Sequence, residues 1–369
     1  MMAAASARPA PTFQSFETSG GASIFRIPMK VFPDLWSYAY LVLVDDYIVL
    51  IDTGSGFGDS NAHLEAGIAQ AAAAAGRTIR MEDLTHILIT HGHIDHFGGL
   101  VFLLERTHAI VGIHELDMGN LTNYEERVAI AENRLKAYLV EAGVTEEKRE
   151  DTLNMYRVNK MLFHSVPVDF TYEAKGMRLG AFDFLHVPGH CAGHVVIRLD
   201  NFLFSGDHVL GRITPHQSPE RLTYSTGLGH YLDSLTLLEK WAGNSEVTLA
   251  GHDDPIQNLP ARLAEIRKSH AARLTLTLEF LSEPHTIAEV SQELFGRVNG
   301  YNVLLAIEEA GAHVEYLHQR GQLRIINLDD FDKNDGPVVT LYQRNTGMVG
   351  KKIDLRHNSP DVPVLSGAH

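Results

Sequence analysis

The run His91-Gly92-His93-Ile94-Asp95-His96 gathers four metal-capable side chains in six residues. Alternate residues leaving an extended segment point to one side, so His91 and His93 can reach one cation together. Asp95 and His96 follow where the chain turns, and can face a second cation. Gly92 allows the backbone to bend close to both. Two imidazoles beside an oxygen–nitrogen pair suit borderline divalent ions such as zinc, manganese or iron. With 21 histidines in 369 residues, one such cluster can arise by coincidence. Four further positions make it specific: Pro188-Gly189-His190, Gly193-His194, Ser205-Gly206-Asp207 and Gly251-His252. Each joins a tight glycine turn to a side chain able to bind a metal.

These positions sit at the ends of expected strands. Residues 85–90 are a short β-branched run feeding directly into His91, and residues 97–106 read as the helix behind it. Residues 182–187, 195–199, 202–204 and 247–250 read as strands, each followed by Gly, Asp or His. Upstream, strands are expected at 23–28, 38–44 and 47–52, with a turn at Asp45-Asp46 and an exit at Gly54-Ser55-Gly56. The Ala-rich residues 60–76 read as a helix stopped by Gly76. Residues 115–163 are mainly helical, with recurring apolar positions such as Leu121, Leu135, Tyr138 and Leu139. Packing explains most of them, and a lid over the metals is the alternative. Strands alternating with helices, with polar residues at strand ends, describe layers whose chemistry sits on one rim.

From about residue 255 the character changes. Helices are expected at 262–281, 284–295 and 301–310, followed by 313–320, Gly321 and a strand-like 323–327. Three helices and a β-wing outline a winged helix. Acidic residues outnumber basic ones ten to seven between 262 and 330. The positive footprint of a DNA reader is therefore missing, and a structural or dimerisation role fits better. The net charge of −15 likewise argues against a nucleic-acid partner or an anionic membrane surface. The single cysteine, Cys191, excludes an intramolecular disulfide and suits a reducing cytoplasm. Beside His190 it reads as a small buried filler rather than a reactive thiol. The expected organisation is a disordered lead over 1–20, a metal-binding domain over 21–258 with a helical insertion at about 115–165, a winged-helix-like domain over 259–330, and a tail over 331–369 that the pattern does not place.

The ordered ligand set resembles the metallo-β-lactamase superfamily, in which an HxHxDH motif is followed by isolated His, Asp and His ligands. The resemblance covers roughly residues 23–258. It implies an α+β fold, an αβ/βα four-layer sandwich, here with the C-terminal winged-helix domain appended. It further implies that His91, His93 and His190 bind one metal, that Asp95, His96 and His252 bind the other, and that Asp207 bridges them. Two divalent ions, zinc first and iron or manganese as alternatives, would then be the cofactors. Asp52, in Ile51-Asp52-Thr53-Gly54, matches a position that supports a ligand imidazole from behind. His194 matches a position that is usually not a ligand. His216 and Tyr224 lie in the segment after Asp207 that often lines the pocket.

The resemblance implies a binuclear hydrolase in which a metal-bridging hydroxide attacks, with Asp95 and Asp207 as the catalytic carboxylates. Gly206 to Leu210, Thr214-Pro215-His216 and Tyr231 to Leu235 look like one branch of lactamase-like or glyoxalase II-like proteins. Substrates across that branch include thioesters, lactones and phosphodiesters. A small ester, thioester or lactone suits the acidic composition best. A single-strand endoribonuclease and a mononuclear iron enzyme like the persulfide dioxygenases are the alternatives. A non-catalytic regulator ranks last, because every ligand position is filled. A small-molecule substrate is the expected partner, and a homodimer is compatible with the appended domain.

Overall fold

The computed structural model describes residues 10–161 and 163–346. The first half runs β1 (Gln14–Glu17), β2 (Ser23–Phe32), β3 (Leu35–Val44), β4 (Tyr47–Ile51), α1 (Ser60–Ala74), β5 (His86–Leu88), α2 (Ile94–Phe97), α3 (Leu100–Leu104), β6 (Ile110–Ile113), α4 (Glu115–Thr122), α5 (Tyr124–Glu141), α6 (Glu146–Lys160) and β7 (Phe170–Thr171). The second runs β8 (Arg178–Leu179), β9 (Phe182–His186), β10 (Val195–Leu199), β11 (Phe202–Gly206), α7 (Leu228–Trp241), β12 (Val247–Ala250), α8 (Leu259–Phe280), α9 (Ile287–Phe295), α10 (Asn302–Gln319), β13 (Leu323–Ile325) and β14 (Tyr342–Arg344).

Strands β1 to β7 form one sheet in sequence order, antiparallel as far as β4 and parallel from β4 to β7. Strands β8 to β12 form a second sheet, in which only β11 and β12 run parallel. Apolar residues occupy both faces of the central strands, so neighbours in sequence enter different cores. Val49 and Ile51 face the layer between the sheets, while Leu50 between them faces α1 and α3. On the second sheet Phe202 and Phe204 face inward, while Leu203 joins the helices outside. Tyr40, Tyr172, Phe184 and Phe204 fill the space between the sheets. Leu64, Ile68, Leu100 and Leu103 cover one outer face; Leu235, Leu263, Ile307 and Leu317 cover the other. The result is the expected helix–sheet–sheet–helix sandwich.

The helical insertion is mostly packing. Leu135, Tyr138 and Leu139 of α5 and Leu153 of α6 lie in the same core as α7 to α10. The C-terminal helices therefore share one apolar interior with the second sheet. Two expectations need correction. The lead over 1–20 is ordered in its second half, because Gln14–Glu17 pairs antiparallel with residues 23–26 and completes the sheet edge; residues 1–9 lie outside the described residues. Residues 301–310 and 313–320 belong to one helix, α10, which continues through Gly311 to Gln319. In the tail that the pattern does not place, Tyr342–Arg344 forms β14 and pairs with β13. The tail beyond residue 346 lies outside the described residues. No described helix is long and apolar enough to cross a membrane.

Candidate metal centre

The loops that leave β4, β5, β9, β11 and β12 all open on one rim of the sandwich. Register brings them together. Gly206 at the end of β11 is opposite Ala250 at the end of β12, and the Gly251 amide donates to the Gly206 carbonyl at 2.7 Å. Asp207 and His252 thus leave their strands side by side. Two backbone bonds tie the sheets across this rim, Val195 N–H to Thr90 O at 2.9 Å and Tyr38 N–H to Gly251 O at 3.0 Å. Glycine is required at the closest approach. A Cβ on Gly251 would collide with Asp207 Oδ1 and sit 2.6 Å from His96 Cε1. Gly206 has φ +47°, with Thr90 Oγ1 and His194 crowding the place of a Cβ.

All seven side chains expected at the centre converge. His91, His93 and His190 form one group whose ligand atoms fit around a single ion, and Asp95, His96 and His252 form another. Asp207 lies between them: Oδ1 is 3.4 Å from His96 Nε2, and Oδ2 is 3.2 Å from His252 Nε2 and 3.9 Å from His190 Nε2. His252 Nε2 also lies 3.3 Å from Asp95 Oδ2, and His91 Nε2 lies 3.1 Å from His93 Nδ1.

The far nitrogens show that the rings are aimed. His190 Nδ1–H donates to the His216 carbonyl at 2.7 Å, and His252 Nδ1–H to the Trp36 carbonyl at 2.6 Å. His96 Nδ1–H donates to Asp52 Oδ2 at 2.8 Å. Thr90 Oγ1 donates to the same carboxylate oxygen at 2.9 Å, which leaves it to accept from His91 Nδ1 at 3.0 Å. With each Nδ1 engaged behind its ring, Nε2 is the atom that all four rings turn to the centre, the nitrogen a metal would take. His96 Nε2, His190 Nε2 and Asp207 Oδ1 are buried without a hydrogen-bond partner. Such orphans are costly unless something else satisfies them, and a dication of the right size would. The residues fit the implied pair of metals.

Electrostatics divides the centre in two. Burial and the neighbouring rings of His96, His194 and His93 hold His91 well below the usual histidine range. Burial and His190 do the same for His93. For His96 burial acts downward, but Asp207, Asp52 and Asp95 outweigh it and raise the ring to about 10. For His252 burial again acts downward, and Asp207 and Asp95 carry it well above the ordinary value. Burial opposes ionisation of Asp207, yet His252 and His96 hold it well below the carboxylate range. One half is thus neutral nitrogen donors, and the other a set of carboxylates that draw in positive charge.

Asp52 lies buried at the end of β4 with φ +58°, a conformation aspartate tolerates, and holds Thr90 as well as His96. His194 Nε2 accepts the Asp207 backbone N–H at 3.1 Å, so that lone pair is committed to holding Asp207. His216 reaches the centre through its carbonyl rather than its ring. Tyr224 does not reach it: the side chain is 73% exposed, and Arg134 lies 5.1 Å over its ring. Burial and the Asp117 carboxylate push the Cys191 thiol well up, which makes it a poor nucleophile. Sequence reasoning missed Asp117 itself. It is fully buried at the start of α4 and accepts the N–H groups of Gly92 and Gly193, each at 2.8 Å. Its one sequence signal is an acidic residue in the first turn of a helix.

Known proteins resemble the part of the chain that carries these residues. Residues 34–252 match the family model of the metallo-beta-lactamase superfamily. The chain is 28% identical over 240 residues to the thioesterase pkgB of Emericella nidulans, covering 63% of this chain and 51% of that one. It is 22% identical over 284 residues to a probable metallo-hydrolase, YqjP, of Bacillus subtilis, covering 74% and 85%. It spans about half the length of the first of these relatives. Among solved structures, a metallo-beta-lactamase family protein from Thermus thermophilus superposes with TM-score 0.67 at 26% identity, over 87% of this chain and 98% of that one. A beta-lactamase domain protein from Burkholderia ambifaria gives 0.65 at 22%, over 90% and 94%, a likeness of fold. With the family model spanning the sandwich from β3 to the His252 loop, and every expected ligand position inside it, the chain belongs to the metallo-beta-lactamase superfamily.

Proposed function

We propose that this protein is a binuclear metal-dependent hydrolase acting on a small ester, thioester or lactone. The observation that carries the reading is the shared position of Asp207, within 3.9 Å of ligand nitrogens from both groups. Two divalent cations, when bound, supply a water that ionises near neutral pH and a Lewis acid for the scissile carbonyl. The chain's own residues do the rest. His91, His93 and His190 offer neutral nitrogens on one side; Asp95, His96 and His252 offer mixed donors on the other; Asp207 spans the two. Asp95 and Asp207 are the catalytic carboxylates of this reading: held ionised by His96 and His252, they would accept a hydrogen bond from the reacting water and orient it.

An acyl substrate is favoured by two considerations. Two curated relatives are thioesterases, pkgB and an atrochrysone carboxyl ACP thioesterase of the same fungus, the latter 24% identical over 244 residues. The chain's net charge of −15 disfavours a polyanionic RNA substrate. The test is turnover of a panel of acyl-thioesters and lactones by metal-loaded protein. His93→Ala and Asp207→Ala should each lower kcat at least about 1000-fold, because each removes a donor from the ions that lower the barrier. Silence of the wild type across the panel, with RNA cleaved instead, would transfer the reading to the nuclease alternative.

A further inference from the structure

The carbonyl that aims His190 lies in residues 214–217, and the C-terminal helices hold this loop on two sides. Glu309 of α10 accepts the Gln217 backbone N–H on Oε2 at 2.7 Å. Glu308 accepts from His216 Nε2 at 2.9 Å, and His216 Nδ1 lies 3.6 Å from Glu309 Oε2. Arg273 of α8 donates to Glu309 Oε1 and to Thr214 Oγ1, both at 2.9 Å. Gln217 is fully buried and Glu309 nearly so.

The His216 carbonyl and the Gln217 N–H belong to one peptide unit. That unit is planar and trans, so its N–H and C=O point in opposite directions. A carboxylate that fixes the N–H therefore fixes the carbonyl, which here meets His190 Nδ1–H at 2.7 Å. From these contacts we propose that Glu309, assisted by Glu308, is a positioning residue for His190. It acts through the 216–217 peptide plane and couples α10 to one half of the metal centre. The proposal rests on the reading of His190 as a metal ligand. It also gives the buried group away from the centre, His270, Glu309 and His313, a role other than holding a cation. The Arg273 guanidinium already occupies Glu309 Oε1. His313 Nδ1–H is committed to the Glu309 carbonyl at 2.7 Å, and its Nε2 to His270 Nδ1 at 3.2 Å. Arg273 thus steadies the carboxylate, and the histidine pair the backbone that carries it.

The experiment compares Glu309→Gln and Glu308→Gln with Glu315→Gln in the full chain. Glu315 is the control: it holds the N–H groups of Glu220 and Arg221 further along the same loop, and no peptide that touches His190. Zinc affinity of each half is read by chelator competition, and the geometry of the His91/His93/His190 half by the visible d–d bands of the cobalt-loaded protein. Melting of the metal-free chain reports general loosening. Glu309→Gln should weaken the ion at that half about 10–100-fold and shift the cobalt bands. The ion at Asp95/His96/His252 should keep its affinity, and Glu315→Gln should match the wild type at both. Unchanged affinity and spectrum in Glu309→Gln would overturn the proposal. So would an equal loss at both halves shared by Glu315→Gln, which would be loosening alone. Should Glu309→Gln fail to fold, His216→Ala keeps the carbonyl and removes the Glu308 contact. It should then show a smaller loss at the same half, and none would count as refutation. A wild-type chain that takes up no divalent ion would instead sink the reading of the centre, and this proposal with it.

Discussion

Asp117 ties two histidine-bearing loops with one carboxylate, since its oxygens accept from Gly92 in the first loop and Gly193 in the second. Asparagine keeps the shape but turns one acceptor into a donor facing a backbone N–H. Asp117→Asn should therefore lower metal affinity and kcat about 10–100-fold, measured by chelator competition and by turnover. The same change should cost about 1–3 kcal/mol of stability, because a buried N–H loses its partner. Asp117 was illegible in the sequence while the ligands were plain, and the reason is physical. His91 to His96 lie in one local run, and His190, Asp207 and His252 each follow a glycine at a strand end, so spacing alone exposes them. Asp117 reaches the centre from a helix start with no such pattern. The Trp36 and His216 carbonyls that aim His252 and His190 are backbone atoms, which carry no residue signature. Tyr224 shows the converse: nearness to Asp207 along the chain did not bring its side chain to the rim.

Gly311 explains the main misreading at the scale of elements. A glycine after residue 310 suggests a helix end, yet α10 runs through it to Gln319. The glycine is there because the Tyr138 hydroxyl from α5 occupies the place a Cβ would take, while donating to the Ile307 carbonyl at 3.0 Å. Gly311→Ala should gain up to about 1 kcal/mol in helix propensity. Overpacking against a buried ring should outweigh it, for a net loss of about 1–3 kcal/mol. In a Tyr138→Phe background the loss should shrink, because the colliding atom is gone. Urea denaturation of the four proteins in this cycle checks the coupling, and additive costs would contradict it. Apolar runs with clear stops were legible: β10 and β12 lie where the runs that end before Asp200 and Gly251 put them. β1 and β6 were not: β1 is placed by pairing with β2 just after it, inside a stretch whose composition reads as disordered, and β6 by lying between β5 and the distant β7.

The whole molecule places its chemistry on one rim and a core shared with the C-terminal helices behind it, so conditions that loosen the helices should reach the metals. Acid is one. Burial holds His270 and His313 below the usual histidine range, with Arg273 adding to it and Glu309 opposing it at His313. Their folded values lie below the unfolded value of about 6.5, so their contribution is complete above that pH. As pH falls below it, the unfolded chain takes up protons that the folded chain refuses, and stability drops by about 1.4 kcal/mol per pH unit for each such group. Metal-free protein should unfold at lower urea at pH 5.5 than at pH 7.5, and His270→Gln should flatten that dependence; identical slopes would speak against it. The four-layer sandwich was legible as a class because the resemblance covered it. The merging of the C-terminal helices into its core was not, since an apolar helix face does not say which neighbour covers it. Anomalous scattering from crystals of metal-loaded protein decides whether Asp207 joins two ions. Two peaks are expected, one among His91, His93 and His190 and one among Asp95, His96 and His252, with Asp207 touching both. A single peak, or an Asp207 carboxylate turned away from either one, would contradict the bridge.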